Sequence, residues 1–187
     1  MPVAAEIVRE NEIPEGVTAE YSSGILTISG PKGSISREFR HPRLKLEIKD
    51  GRIYTRCILP GKKEKALVGT WWAHIRNMIT GVTKGFQYRL KAVHSHFPMM
   101  MKYDKKTHIF SISNFLGEKS DRKAKLSENV EVKIDGDHVI LTGIDIEKLG
   151  QCAANIERAT KVRGFDIRVF QDGIYITHKA IHGDADD

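Results

Sequence analysis

The 187-residue chain has only two cysteines, Cys57 and Cys152, far apart and without CxxC spacing. That scarcity excludes a disulfide scaffold and a cysteine zinc site, and it leads us to expect a reducing, cytoplasmic setting. No run of 18 apolar residues occurs, so no helical membrane span is expected. Residues Met1 to Glu10 lack a basic start followed by an apolar core, unlike a signal peptide. Phosphate-loop glycines are missing too: Gly30-Pro-Lys-Gly-Ser34 fits neither the P-loop nor GxGxxG. His94 and His96 would share one side of a strand, as a metal pair requires, but no third Cys, His or carboxylate stands at ligand spacing. The acidic pairs Asp135/Asp137 and Asp184/Asp186 fall in a turn and in the tail, where solvated carboxylates are the rule. No Ser, Cys or Lys sits in a nucleophile-elbow context. The chain therefore reads as a non-enzyme with no cofactor, no metal and no small-molecule substrate.

What the sequence does have is positive charge in two belts. Residues 32–65 carry 11 Lys/Arg against 4 Asp/Glu, and residues 84–133 carry 11 against 5. The segments before, between and after sum to −4, +1 and −4, so the net +6 is concentrated where the belts lie. Belts of this kind attract polyanions, and binding through them weakens steeply with salt.

The belts ride on short alternating segments. Glu6 to Val17 is a lead-in broken by Pro14-Glu-Gly16; Val17–Tyr21 and Gly24–Gly30 form a hairpin burying Leu26 and Ile28. Ser34–Arg40, Leu44–Ile48 and Arg52–Ile58 extend this into a meander, with Asp50-Gly51 as a turn. From 62 to 80 the period changes to 3.6, with Val68, Trp71, Trp72, Ile75 and Ile79 as the apolar stripe and Gly81 as the expected stop. That stripe makes Trp71 and Trp72 core residues before base-stacking ones. Strands are expected again at Phe86–Val93, Met99–Tyr103 and His108–Ser113, followed by a basic loop reaching Lys125. A hairpin at Val130–Ile134 and Val139–Gly143 leads to a second helix, 146–162, with Asp145 as N-cap and Gly164 as its end.

Val17–Gly30 aligns without gaps on Val130–Gly143 at an offset of 113, and both halves leave their helix through Lys84-Gly-Phe86 or Arg163-Gly-Phe165. The expected fold is α+β, a tandem duplication of a small antiparallel sheet packed on one helix. The expected units are 1–83 and 84–187, the second ending in an acidic tail. Basic residues interleave with aromatics at Arg37/Phe39/Arg40, Arg52/Tyr54/Arg56, Tyr88/Arg89/Lys91 and Arg168/Phe170/Tyr175, a pattern suited to phosphates and to stacking on bases or ribose. Arg163 to Lys179 collects most of these features, and it reads as one decorated strand ribbon with a turn at Asp172-Gly173.

Gly69-Thr-Trp71, His74-Ile-Arg-Asn-Met78, Thr80-Gly-Val-Thr-Lys-Gly85, Ser95-His-Phe-Pro-Met99, Asn114-Phe-Leu-Gly-Glu-Lys119, Gly150-Gln151 and Arg168-Val-Phe-Gln-Asp-Gly-Ile-Tyr-Ile176 together resemble the sixth protein of the large ribosomal subunit, in its archaeal and eukaryotic branch. The resemblance covers nearly the whole chain. It implies a structural constituent of the ribosome, bound to large-subunit ribosomal RNA near the sarcin-ricin loop and the docking site of translational GTPases, beside neighbouring large-subunit proteins. It also implies anchorage mainly through the second unit, which carries an RNA role onto Arg163, Arg168, Phe170, Gln171, Asp172, Tyr175 and Lys179. The basic loop adds Lys119, Arg122, Lys123 and Lys125 as phosphate ligands. The bacterial branch has a different tyrosine- and glycine-rich motif here, so its contacts do not transfer residue by residue. A free-standing RNA-binding or RNA-chaperone module is the alternative that the charge belts leave open.

Overall fold

The computed structural model describes residues 6–182. The Asp184/Asp186 pair and the acidic tail lie outside them. The chain divides into two compact units, with the break between Lys84 and Gly85.

In the first unit, strands β1 (Glu6–Glu12), β2 (Thr18–Ser22), β3 (Ile25–Gly30), β4 (Gly33–Glu38), β5 (Leu44–Lys49) and β6 (Arg52–Ile58) precede helix α1 (Lys62–Thr83). They form two antiparallel sheets, ordered β1-β6-β5 and β2-β3-β4. Alternation places Leu26, Ile28, Leu44, Leu46 and Ile53 inside, against Val68, Trp71, Ile75 and Val82 of α1. The β5–β6 hairpin turns through Asp50 and Gly51, both at positive φ (49° and 70°), as a two-residue primed turn requires. Trp71 is buried and meets Phe39 edge to face at 5.3 Å, whereas Trp72 is only half-buried.

In the second unit, β7 (Phe86–Val93), β8 (Met100–Asp104), β9 (Ile109–Ser113), β10 (Arg122–Lys125), β11 (Glu131–Asp135) and β12 (His138–Gly143) precede α2 (Ile146–Ala159), and β13 (Gly173–His182) closes the unit. The sheets are ordered β11-β12-β7-β13 and β10-β9-β8. Phe110, Ile112, Leu141, Leu149, Ile156 and Ile174 form the centre of the core.

The duplication is visible in the strand register. Thr18 pairs with Ser29 and Ser22 with Ile25; adding 113 to each number gives Glu131 with Thr142 and Asp135 with His138, the pairs observed in the second hairpin. Both hairpins end on a glycine facing a helix. A Cβ on Gly30 would stand 2.9 Å from the Val82 carbonyl oxygen, and one on Gly143 would stand 3.5 Å from Leu149 Cδ1. Gly30→Ala is therefore expected to destabilise the chain by about 1–2 kcal/mol through overpacking against a backbone atom, read as a lower denaturation midpoint in urea.

Four local expectations are corrected. Helix α1 runs through Gly81, which is buried on the packed face, and ends at Thr83; Lys84 N–H caps back to Thr80 O at 2.8 Å and Gly85 supplies the left-handed φ of 73°. Helix α2 does begin on Asp145, whose carboxylate accepts from Glu147 N and Lys148 N, but it stops at Ala159, well short of Gly164. The stop has a cause: Thr160 Oγ accepts Ile174 N–H at 2.9 Å, and the carbonyls of Ala159 and Lys161 are taken by Arg122. The segment 119–125 is not wholly a loop, because Arg122–Lys125 pairs with β9. Of the Arg163–Lys179 ribbon, only the part from Gly173 onward is strand, as the first residues of β13 (Gly173–His182). Before it, Asp166 holds the chain in turns: its carboxylate accepts Arg168 N–H at 2.9 Å and its carbonyl accepts Val169 and Phe170 N–H. The two exit tripeptides also diverge, since Phe86 is buried while Phe165 is exposed.

Candidate nucleic-acid interface

Residues 161–172 form an exposed segment between α2 and β13, fixed at both ends. At its start Arg122 Nη1 donates to Ala159 O at 3.0 Å and to Lys161 O at 2.8 Å. The same guanidinium donates from Nε and Nη2 to the two carboxylate oxygens of Glu118, at 2.9 and 2.6 Å, and lies 4.1 Å from the Phe115 ring centroid. Four of the five N–H donors of this fork are thus used inside the protein. At its end Asp172, 1% exposed, accepts His96 N–H at 3.3 Å and faces His96 Nδ1 at 3.0 Å. Burial pushes the Asp172 carboxyl up, but hydrogen bonds from the His96 ring and from the backbone N–H groups of His96 and Ser95 outweigh it and hold the group below the usual carboxylate range.

Between these anchors a short aromatic stack is built. His96 and Phe170 rings stack with centroids 4.5 Å apart, and Phe165 tilts onto Phe170 at 4.8 Å. Phe165, Ile167 and Val169 are 52%, 70% and 62% exposed, an apolar rim that a buried-strand reading would have turned inward. Phe170, Gln171 and Tyr175, with Glu157, Lys161 and Ile167, line an open groove of about 580 Å³. The Tyr175 hydroxyl donates to Gln171 O at 3.0 Å and Gln171 Nε2 donates to Arg168 O at 3.4 Å, so the groove's polar side chains brace its own backbone. Arg163, Arg168 and Lys179 are exposed, and among the described residues none has a carboxylate partner. Lys179 lies within the second of two register shifts of β13 against β7, between His178 and Ile181, where bulges re-aim side chains. Lys119, Lys123 and Lys125 are exposed, the last two alternating with buried Ala124 on β10.

The structure thus brings Arg163, Arg168, Phe170, Gln171 and Tyr175 together at one segment. It ties Arg122 and Asp172 to internal partners at the two ends of the segment, which gives both a positioning role. His96 joins this site through Asp172 and Phe170, and its sign in the sequence is the Ser95-His-Phe-Pro-Met99 motif. The His94/His96 metal pair does not form, because His94 Nε2 lies 3.7 Å from Asp137 while His96 engages Asp172, and among the described residues no group of three or more His, Cys, Asp or Glu could hold a metal.

Asp172→Asn keeps the shape but removes the charge. It is expected to lower stability by about 1–2 kcal/mol at neutral pH. Because the folded pKa is depressed, the carboxylate's contribution is present above the ordinary carboxylate range and is lost as pH falls through the folded value, so the gap between parent and variant should close in acid. Urea denaturation of both at neutral and acidic pH measures this.

These features define a class: a duplicated α+β protein that presents an exposed, cation-lined segment. The sequence matches the family described as Ribosomal protein L6 twice, over residues 13–85 and again over 103–173, and the chain belongs to that family. It is 49% identical over 178 residues to "Large ribosomal subunit protein uL6" of Methanocella arvoryzae, covering 95% of this chain and 100% of the relative. Proteins of the same name from Staphylothermus marinus (50% over 172 residues; 91% of this chain, 93% of the relative) and Methanobrevibacter smithii (47% over 179 residues; 96% and 99%) are similar over the same extent. Membership makes the chain a structural, non-enzymatic protein, and the double match agrees with the internal duplication.

Proposed function

We propose that this chain is a structural constituent of the large ribosomal subunit, anchored on large-subunit ribosomal RNA through the 163–179 face of its second unit. The observation that carries the reading is near-full-length identity to large-subunit proteins of one family, over both copies of the repeat. The exposed cations Arg163, Arg168 and Lys179 grip phosphates, while Phe165, Phe170 and Tyr175 offer planar surfaces to an unpaired base or a ribose. Lys119, Lys123 and Lys125 extend the cationic surface. Arg122 and Asp172 hold the segment's two ends, so the ligand meets a pre-formed shape. The resemblance of the motifs supports a position near the sarcin-ricin loop, at the edge of the site where translational GTPases dock, on cytoplasmic ribosomes beside other large-subunit proteins.

A photo-crosslinker at Ile167, the most exposed of the segment's apolar residues, tests both levels. The chain is expected to co-sediment with large subunits in a sucrose gradient, and the crosslink to map to RNA at or beside the sarcin-ricin loop. A crosslink elsewhere in the subunit overturns the position, and a chain found only at the top of the gradient overturns the ribosomal role in favour of a free-standing RNA-binding module.

A further inference from the structure

Along α1, Lys62, Lys65, Gly69, Trp72 and Arg76 recur at alternating spacings of three and four, and so line one face beside the buried stripe. Next to them β1 presents Arg9, whose guanidinium lies 5.8 Å from the Trp72 ring centroid; that of Arg76 lies at 4.9 Å. Several local choices on this face work against folding. Lysines in the first turn oppose the positive end of the helix dipole. Gly69 stands in mid-helix, where glycine is destabilising relative to alanine, yet a Cβ there would meet nothing within 4 Å. Gly150, placed early in α2, has a packing reason, since its Cβ would stand 3.1 Å from the Tyr88 hydroxyl. Gly69 has no such neighbour.

Nor are the arginines needed to hold the indole. Trp72 Nε1 donates to Glu10 O at 2.8 Å, and Asn11 Nδ2 donates to Trp72 O at 3.3 Å, which already ties α1 to β1. The carboxylates are drawn elsewhere: Glu10 and Glu12 pair with Arg52, Glu6 pairs with Arg56 and Glu64 pairs with Arg43. Alternation along β1 puts Arg9 on the sheet face opposite Glu10 and Glu12. Among the described residues neither Arg9 nor Arg76 has a carboxylate partner.

We propose that this face of α1, with Arg9, is a second docking surface for the sugar-phosphate backbone of RNA, carried by the first unit and separate from the 163–179 face. Two guanidiniums braced on one indole present forked donors suited to phosphate oxygens. The missing Cβ at Gly69 lets a backbone approach the helix closely between Lys65 and Trp72, and a row of cations without an acid selects a polyanion over an ordinary protein surface. Choosing RNA rests on the function proposed above, but the residues lie in the other unit.

The full chain is titrated with a labelled oligouridylate at several salt concentrations, and with labelled polyglutamate of matched length. Arg9→Ala/Arg76→Ala is expected to flatten the log–log salt slope for oligouridylate by about 1.4, two single-strand phosphate contacts at roughly 0.7 each. Gly69→Ala is expected to raise Tm by about 1–4 °C while weakening binding several-fold, a combination that a face without a partner does not give. The proposal fails if the double variant keeps the parental slope, if Gly69→Ala binds like the parent, or if polyglutamate binds more tightly than oligouridylate, which would mark an acidic protein segment as the occupant. Alanine at Arg163, Arg168 and Lys179 separates the two faces. Complete loss of binding there would overturn the first-unit surface alone, whereas unchanged binding there with loss in the Arg9/Arg76 variant would overturn the second-unit reading and support this one.

Discussion

Replacing Arg163, Arg168 and Lys179 together with alanine is expected to weaken binding of a large-subunit ribosomal RNA fragment by about 10³-fold at low salt. Three charge-assisted contacts at roughly 1.5 kcal/mol each amount to about 4–5 kcal/mol, and 1.4 kcal/mol is tenfold. The slope of log affinity against log salt should flatten by about 2–3, because each phosphate neutralised releases close to one counterion. Stability should move little, since all three side chains are exposed and among the described residues have no carboxylate partner. Filter binding across a salt series, with the denaturation midpoint as control, measures both; an unchanged slope would remove these residues from the interface. The charge-neutral change Phe170→Leu is the informative contrast. It takes away the middle ring of the His96–Phe170–Phe165 stack and should cost affinity without changing the slope.

Much of this architecture was legible in the sequence because it depends on alternation. Leu26 and Ile28, or Val139 and Leu141, announce which side of a strand is buried, and an offset of 113 carries one hairpin onto the other residue by residue. What escaped depends on long-range polar partners. Asp172 and His96 are 76 residues apart, and nothing in the local pattern of either announces the other. The segment from Phe165 to Val169 alternates apolar and charged residues as a strand would, and period alone assigns it to a sheet. Asp166 overrides that pattern through local side-chain and carbonyl hydrogen bonds, and the apolar residues end up facing solvent. The same override produces the candidate interface: a segment that had joined the sheet would have buried half of its rings. The cationic residues were found by composition, but which of them are free to bind was not, since Arg122 and Arg168 look alike until their neighbours are known.

Arg122 therefore carries the second large effect, and on folding before binding. Its guanidinium joins Glu118, two backbone carbonyls 37 and 39 residues away, and the face of Phe115. Arg122→Ala strips the donor from the carbonyls of Ala159 and Lys161 and leaves Glu118 without its fork, for an expected loss of about 2–4 kcal/mol, the range for breaking several charge-assisted bonds to partly buried groups. Arg122→Lys keeps the charge but not the geometry, because one ammonium cannot serve a carboxylate and two carbonyls in a planar fork, so most of the loss should remain. Acid separates the components. The hydrogen bond from Arg122 holds the Glu118 carboxyl below its ordinary range, so that part of the stability is present above an unfolded carboxylate value of about 4.3 and disappears as pH falls through the lower folded value. The carbonyl contacts do not titrate there and should persist. Denaturation of parent and variant from neutral to acid pH is thus expected to show a difference that narrows without closing. In RNA titrations at a temperature where both are folded, Arg122→Ala should weaken affinity while leaving the salt slope at the parental value, as expected of a side chain that shapes the 161–172 segment without touching a phosphate. A slope reduced by one contact would instead return Arg122 to the interface, its internal bonds exchanged for the ligand.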